Sequence, residues 1–331
     1  MQVQRMRSPA LAGNPLGDPA ERSLSVYLPP QYAAGSERFP AVYFLHGFSG
    51  SGTAWLNTAA FSPNVPERLD ALIAAGSIPP VIGVFVDGWT ALGGSQWINS
   101  EAIGRYRDYL ARDVVAHVDA ALRTVPNAAA RAVVGKSSGG YGALVMACRH
   151  PEVFAHVGAH SGDAYFEYCY LPDLPKAAGG LLKAGGVQAW FDDFIRRCRE
   201  TRARSEDFPV LNAVAMSAAY SPKKGEPMNL ELPFELPSGR IRAEVWGRWL
   251  ANDPVRFVPR SLSAVAKLRS LFIDCGIRDE YHLRWGARML VDELRAAKID
   301  VSHEEFEDGH SGINYRYDRS LLYLVPRMAR S

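Results

Sequence analysis

Apolar residues along this chain fall into short continuous runs separated by stretches with helical spacing. Ala41 to Leu45 (AVYFL), Val81 to Val86 (VIGVFV) and Arg131 to Val134 carry almost no polar position. A strand that is apolar on both sides belongs in the middle of a sheet covered on both faces. Leu24 to Leu28 (LSVYL) and Phe154 to Ala159 (FAHVGA) also read as strands, the first closed by the Pro29-Pro30 turn signal. Val65 to Ala75, Tyr106 to Leu122 and Tyr141 to Cys148 read as helices, the second with apolar residues at every fourth position. After residue 260, Leu271 to Cys275, Leu283 to Ala297 and Val301 to Phe306 repeat the order strand, helix, strand.

Strands alternating with helices through short links predict a mainly parallel sheet with helices on both faces. Ligand sites in such sheets lie beyond the carboxyl ends of the strands, so the loops leaving them converge on one edge. The rhythm breaks between Asp163 and Arg260, a segment rich in aromatic residues and proline that contains KAAGGLLKAGG and an amphipathic patch from Trp190 to Cys198. The expected organisation is an α/β core of residues 1–162 and 261–331 with a lid or cap insertion at 163–260. Tyr165, Phe166, Tyr168, Tyr170, Trp190, Trp246 and Trp249 are expected chiefly to form the cap's own core, with two or three at most reaching a substrate.

The chemistry begins where the strand ending at Val134 runs into Gly135-Lys136-Ser137-Ser138-Gly139 and a helix follows at once. A serine hydroxyl is a weak nucleophile in water, and a tight strand-to-helix turn exposes it above the sheet to a base. Gly-x-Ser-x-Gly in that context is the nucleophile elbow of the α/β-hydrolase fold, so Ser137 is the expected nucleophile. The Ser138 N–H, at the start of the helix, is suited to a developing oxyanion. The loop His46-Gly47-Phe48 follows the AVYFL strand, where this fold places a second oxyanion donor, and the Phe48 N–H is assigned to it. His46 is expected to brace that loop rather than act as the base.

The order of a triad in this fold is Ser, then Asp or Glu, then His. Asp279, in Asp274-Cys275-Gly276-Ile277-Arg278-Asp279-Glu280, follows a strand and is the expected acid; Asp274 reads as a buried structural carboxylate and Glu280 as a helix cap. His310, in Phe306-Glu307-Asp308-Gly309-His310-Ser311-Gly312, is the expected base, whereas His282 and His303 read as ordinary surface or packing residues. Lys136 reads as a solvated charge, with attraction of a substrate carboxylate as the weaker alternative.

Composition narrows the ligand. Thirty-seven basic against 35 acidic side chains give a net charge of +2, so nothing draws the chain to a nucleic acid or an anionic membrane. No apolar leader or run of about 18 uncharged apolar residues is present, which predicts a cytoplasmic protein. Cys148, Cys169, Cys198 and Cys275 are scattered without metal-site spacing and are expected to be reduced, structural thiols. The chemistry needs no cofactor and no metal, only a small-molecule ester. A homo-oligomer is compatible with the sequence.

VYLPPQY near residue 26, FLHGFSGSGTAW at 44–55, GKSSGGYGAL at 135–144, DCGIRDEY at 274–281 and FEDGHSGINYRY at 306–317 together resemble the putative esterase family of α/β-hydrolases. That family includes S-formylglutathione hydrolases, feruloyl esterases, enterochelin esterases and mycolyltransferases. The resemblance covers most of the chain, implies an esterase, and maps a triad onto Ser137, Asp279 and His310. It has no signature for the segment from Asp163 to Arg260. The same machinery serves a thioesterase or an acyltransferase. A non-catalytic binding protein is the reading from another class, and the intact Ser, Asp and His set argues against it.

Overall fold

The computed structural model describes residues 1–330. One sheet has eight strands: β1 (Gln2–Arg7), β2 (Glu21–Tyr27), β3 (Ala41–Leu45), β4 (Ile82–Val86), β5 (Arg131–Lys136), β6 (His156–His160), β7 (Ser270–Gly276) and β8 (Ser302–Phe306). Their spatial order is β1-β2-β4-β3-β5-β6-β7-β8. Only β2 runs against the rest, pairing antiparallel with β1 and β4; the others pair in parallel.

All five residues of β3 are buried, because alternate side chains feed two different cores. Ala41, Tyr43 and Leu45 join the larger cluster with the helices Ser138–Arg149 and Leu283–Ala296. Val42 and Phe44 join the opposite cluster, under the helices Val65–Ala74 and Arg316–Leu324. The helix Val65–Ala74 starts where expected because Asn64 and Glu67 cap each other reciprocally, Glu67 N–H to Asn64 at 3.0 Å and Asn64 N–H to Glu67 at 2.8 Å.

Two parts of the fold gave little sequence signal beyond the amphipathic patch at Trp190 to Cys198, which lies in a helix. β1 is an edge strand with one buried side chain, Met6, so QVQRMR shows no apolar run. The segment between β6 and β7 is helical, with helices at Leu174–Ala184, Val187–Glu200, Asp207–Tyr220 and Ala243–Ala251. Its glycines and prolines disguise this: Gly185 at φ 84 closes the first of these helices, and Pro175 occupies its first turn. The segment shares the larger core with the sheet, since Tyr220 packs against Tyr141 of the helix Ser138–Arg149 and Trp249 links Tyr220 to Tyr170.

His156, at the start of β6, is buried between the Ser270 hydroxyl at 2.7 Å and the Ala129 carbonyl at 3.0 Å. Burial holds it down to about 4. Burial likewise lowers His46. A histidine depressed in the folded state is neutral there while the unfolded chain takes up a proton below about pH 6.5. The stability it contributes is therefore whole above pH 6.5 and is lost as the pH falls from there towards 4. His156 alone is expected to account for a loss of about 3 kcal/mol over that window. Urea unfolding at pH 7.0 and 4.5 checks this, and His156→Gln should flatten the slope.

Candidate active site

The elbow sits between β5 and the helix Ser138–Arg149, with Ser137 at φ 58, ψ −127, a conformation an L-residue holds only when its surroundings enforce it. The Ser137 N–H donates to the His160 carbonyl at 3.0 Å, anchoring the turn on the neighbouring strand. The two pentad glycines are required by crowding. A Cβ on Gly139 would lie 2.0 Å from the Leu45 carbonyl oxygen, and one on Gly135 would lie 2.4 Å from the Gly139 carbonyl.

The loop after β3 passes directly against this turn, since a Cβ on Gly47 would be 3.2 Å from Ser137 Cβ. Next to it, the Phe48 N–H has no backbone acceptor, while Ser49 N–H donates to Gly93 at 2.8 Å and Gly50 N–H to Gly47 at 3.0 Å. Ser138 N–H is the first of its helix and so lacks an intrahelical partner. His46 is neutral, donating from Nδ1 to the Gly47 carbonyl at 2.8 Å and accepting Gly88 N–H at Nε2 at 2.9 Å. Nδ1 braces its own loop and Nε2 ties it to the loop after β4.

Asp279 and His310, each from a loop beyond a strand, meet with Asp279 Oδ2 2.8 Å from His310 Nδ1. Both are buried to more than nine-tenths, and the Tyr281 ring packs edge-on against the imidazole, 4.8 Å between centroids. Ser137, Ser138, Phe48 and His310 border one cavity of about 430 Å³ beyond the carboxyl edge of the sheet. The Ser137 hydroxyl donates not to His310 but to Asp163 Oδ1, at 3.3 Å.

Two side chains hold the backbone of His310 from opposite sides. Glu280 Oε2 accepts the His310 N–H at 2.8 Å, and Lys136 Nζ donates to the His310 carbonyl at 3.0 Å. Glu280 is thus not a helix cap, and Lys136 is half-buried at the cavity wall, with one of its donors given to the His310 backbone rather than to solvent. Burial lowers the Lys136 ammonium, opposed by Asp279, Asp163 and Glu280. Each residue is the chain neighbour of a candidate triad member, so the clamp ties the loop of His310 to Ser137 and Asp279. Glu280→Ala is expected to lower kcat about 10- to 100-fold with little change in KM, because a small displacement of a catalytic group is that costly. Glu280→Gln, which still accepts the N–H, should restore most of it in the same steady-state assay.

A second arrangement repeats the pattern of a triad without its access. His160 Nδ1 lies 2.7 Å from Asp274 Oδ1 and its Nε2 2.8 Å from Ser320 Oγ, while Arg316 Nε holds Asp274 Oδ2 at 2.8 Å. All are buried beneath the helix Arg316–Leu324, and none of them borders the cavity. This network pins that helix to β6 and β7, as expected of Asp274; the part of His160 was not legible in sequence.

Of the aromatic residues singled out in the insertion, Tyr170 borders the cavity; Phe208 and Asn212, which no pattern marked, do so too. Phe48, Phe208 and Tyr281 form a chain of rings along its wall, 5.9 and 6.4 Å apart, reaching the His310 imidazole. Cys169 also borders it, but burial raises its thiol well above the ordinary range, which keeps it protonated and unreactive. The four cysteines are free. Among the described residues no cluster of ligands suits a metal ion, and no helix is long and apolar enough to cross a membrane.

Residues 19–316 match the family described as Putative esterase. A curated relative, an endo-1,4-beta-xylanase/feruloyl esterase of Xylanibacter ruminicola, is 28% identical over 214 residues. The match covers 56% of this chain and 29% of that protein, so the chain spans less than a third of the relative's length. Among solved structures, a ferulic acid esterase superposes with a TM-score of 0.64 at 16% identity, covering 99% of this chain and 98% of the other. An S-formylglutathione hydrolase from Agrobacterium tumefaciens gives 0.60 at 14% identity over 99% and 95%. One from Staphylococcus aureus gives 0.57 at 16% over 98% of each. At these identities the likeness carries the α/β-hydrolase fold and not a substrate.

Proposed function

The chain belongs to the putative esterase family, and we propose that it hydrolyses carboxylic esters through an acyl-enzyme on Ser137. His310 takes the Ser137 proton as the hydroxyl attacks the ester carbonyl, then returns it to the departing alcohol. Asp279 fixes the Nδ1–H tautomer and stabilises the imidazolium. The Phe48 and Ser138 N–H groups receive the oxyanion. Water activated by His310 then releases the acid.

The observation that carries this reading is the 2.8 Å Asp279–His310 contact beside the same cavity as a serine held on a strained strand-to-helix turn. The hydroxyl has to leave Asp163 for His310 Nε2 when substrate enters. Catalytic hydrogen bonds commonly tighten only in the complex.

The ring chain of Phe48, Phe208 and Tyr281 supports a planar or bulky apolar group on the ester, in keeping with the feruloyl and ferulic acid esterases among the relatives. A fluorophosphonate should label the protein once, on the peptide containing Ser137, and kcat/KM should rise from acetyl to cinnamoyl esters. No label, or label elsewhere, would sink the mechanism. A thioester in the same panel and an alcohol added as acceptor test the thioesterase and acyltransferase readings.

A further inference from the structure

Asp163 is three residues beyond β6, is 6% exposed and borders the cavity. Its four hydrogen-bond partners are all neutral donors. Oδ2 takes three of them: Ser138 Oγ at 3.0 Å, Gln96 Nε2 at 3.1 Å and Tyr170 OH at 2.8 Å. Oδ1 takes one, the Ser137 hydroxyl at 3.3 Å. The mechanism has no use for a second buried carboxylate beside the nucleophile.

Three donors lock Oδ2 in place and leave Oδ1 on the Ser137 hydroxyl, the atom that a scissile carbonyl has to approach. When Ser137 gives its proton to His310, Oδ1 loses its one donor. A buried charged acceptor without a partner is expensive, and the group replacing the serine hydroxyl has to come from whatever occupies the cavity. A substituent one or two bonds from the scissile carbonyl is within reach of that oxygen. A hydroxyl or ammonium satisfies it, a hydrocarbon leaves it bare, and a carboxylate repels it.

We propose that Asp163 is a specificity-determining residue that recognises a hydroxyl or ammonium donor carried by the ester next to its scissile carbonyl and rejects a carboxylate there. This rests on Ser137 being the nucleophile. The donor can belong to the acyl group, as in a 2-hydroxy acid, or to the alcohol, as in a polyol or sugar with a neighbouring hydroxyl.

The test follows hydrolysis of ethyl acetate, ethyl glycolate, 2-hydroxyethyl acetate and monoethyl malonate by wild type and Asp163→Asn. Intrinsic differences in ester reactivity cancel when each ester's kcat/KM is taken relative to ethyl acetate and the ratio compared between the two proteins. For the ester whose donor meets Oδ1, that ratio is expected to fall about 10- to 100-fold in the variant, the range for a hydrogen bond to a charged group. Glycolate responding places the donor on the acyl side, and hydroxyethyl acetate responding places it on the alcohol side. The malonate ratio should rise. Ratios unmoved within about twofold for both donor-bearing esters would overturn the proposal. Should Asp163→Asn not fold, Asp163→Ser reads the same ratios. Fluorophosphonate labelling separates the two levels: absence of label on wild-type Ser137 overturns the esterase mechanism, whereas normal labelling with unmoved ratios overturns only the role of Asp163.

Discussion

Ser137→Ala is expected to lower kcat for any ester the protein turns over by about 10⁶-fold, the scale seen when a triad nucleophile is lost. KM should change little, while the thermal midpoint should fall modestly because Asp163 Oδ1 loses its one donor. Alanine keeps the Cβ and the strained backbone at φ 58, ψ −127, so neither the elbow nor the cavity is altered. What disappears is the atom proposed to form the acyl-enzyme. The residual rate should come from the Phe48 and Ser138 N–H groups and from binding alone, which leave a measurable excess over water. Single-turnover kinetics with a chromogenic ester checks this directly: the burst of released alcohol vanishes in the variant. A burst that survives would place the nucleophile elsewhere.

The second large effect separates the two Asp–His pairs, at 2.8 Å for Asp279–His310 and 2.7 Å for Asp274–His160. Asp279→Asn is expected to lower kcat by about 10⁴-fold, because an amide presents the wrong tautomer to His310 Nδ1 and cannot stabilise the imidazolium. Stability should hardly move. Asp274→Asn should do the opposite. It removes the anion that Arg316 Nε holds at 2.8 Å and that His160 Nδ1 meets at 2.7 Å, leaving the buried guanidinium with Glu304 as its carboxylate partner, at an expected cost of about 2 kcal/mol. Activity per folded molecule should remain close to wild type, since the His160 network does not border the cavity. Parallel urea unfolding and active-site titration of both variants resolve the pair, and a kcat loss in Asp274→Asn matching that of Asp279→Asn would overturn the division of roles.

Much of the fold was legible because the central strands are apolar on both sides. Nothing but a sheet covered by helices can bury AVYFL, VIGVFV and LFIDC together, and β3, β4 and β7 lie within a residue of where those runs are. The strands that lack such a run were harder: β1 shows its polar edge to solvent, and the helices of the insertion interrupt their pattern with Gly179, Gly180, Gly185 and Gly186. The elbow was legible for a different reason. Its glycines are dictated by backbone atoms closer than any side chain allows, Gly135 by Gly139 within the turn and Gly139 by Leu45 of the neighbouring strand, yet the residues that answer this lie in five consecutive positions.

By itself the sequence determined which groups had to be buried, where the backbone had to turn sharply, and in what order a nucleophile, an acid and a base could follow one another. Only the tertiary structure decided who touches whom across the gaps. It put Lys136 and Glu280 on the two backbone atoms of His310, paired His160 with Asp274 and Ser320, brought Phe208 to the cavity wall, and set Asp163 against the Ser137 hydroxyl. These contacts join residues up to 174 positions apart. Periodicity records the face a side chain occupies, not the partner it meets there, and that partner is chosen when separate loops converge on the same edge of the sheet.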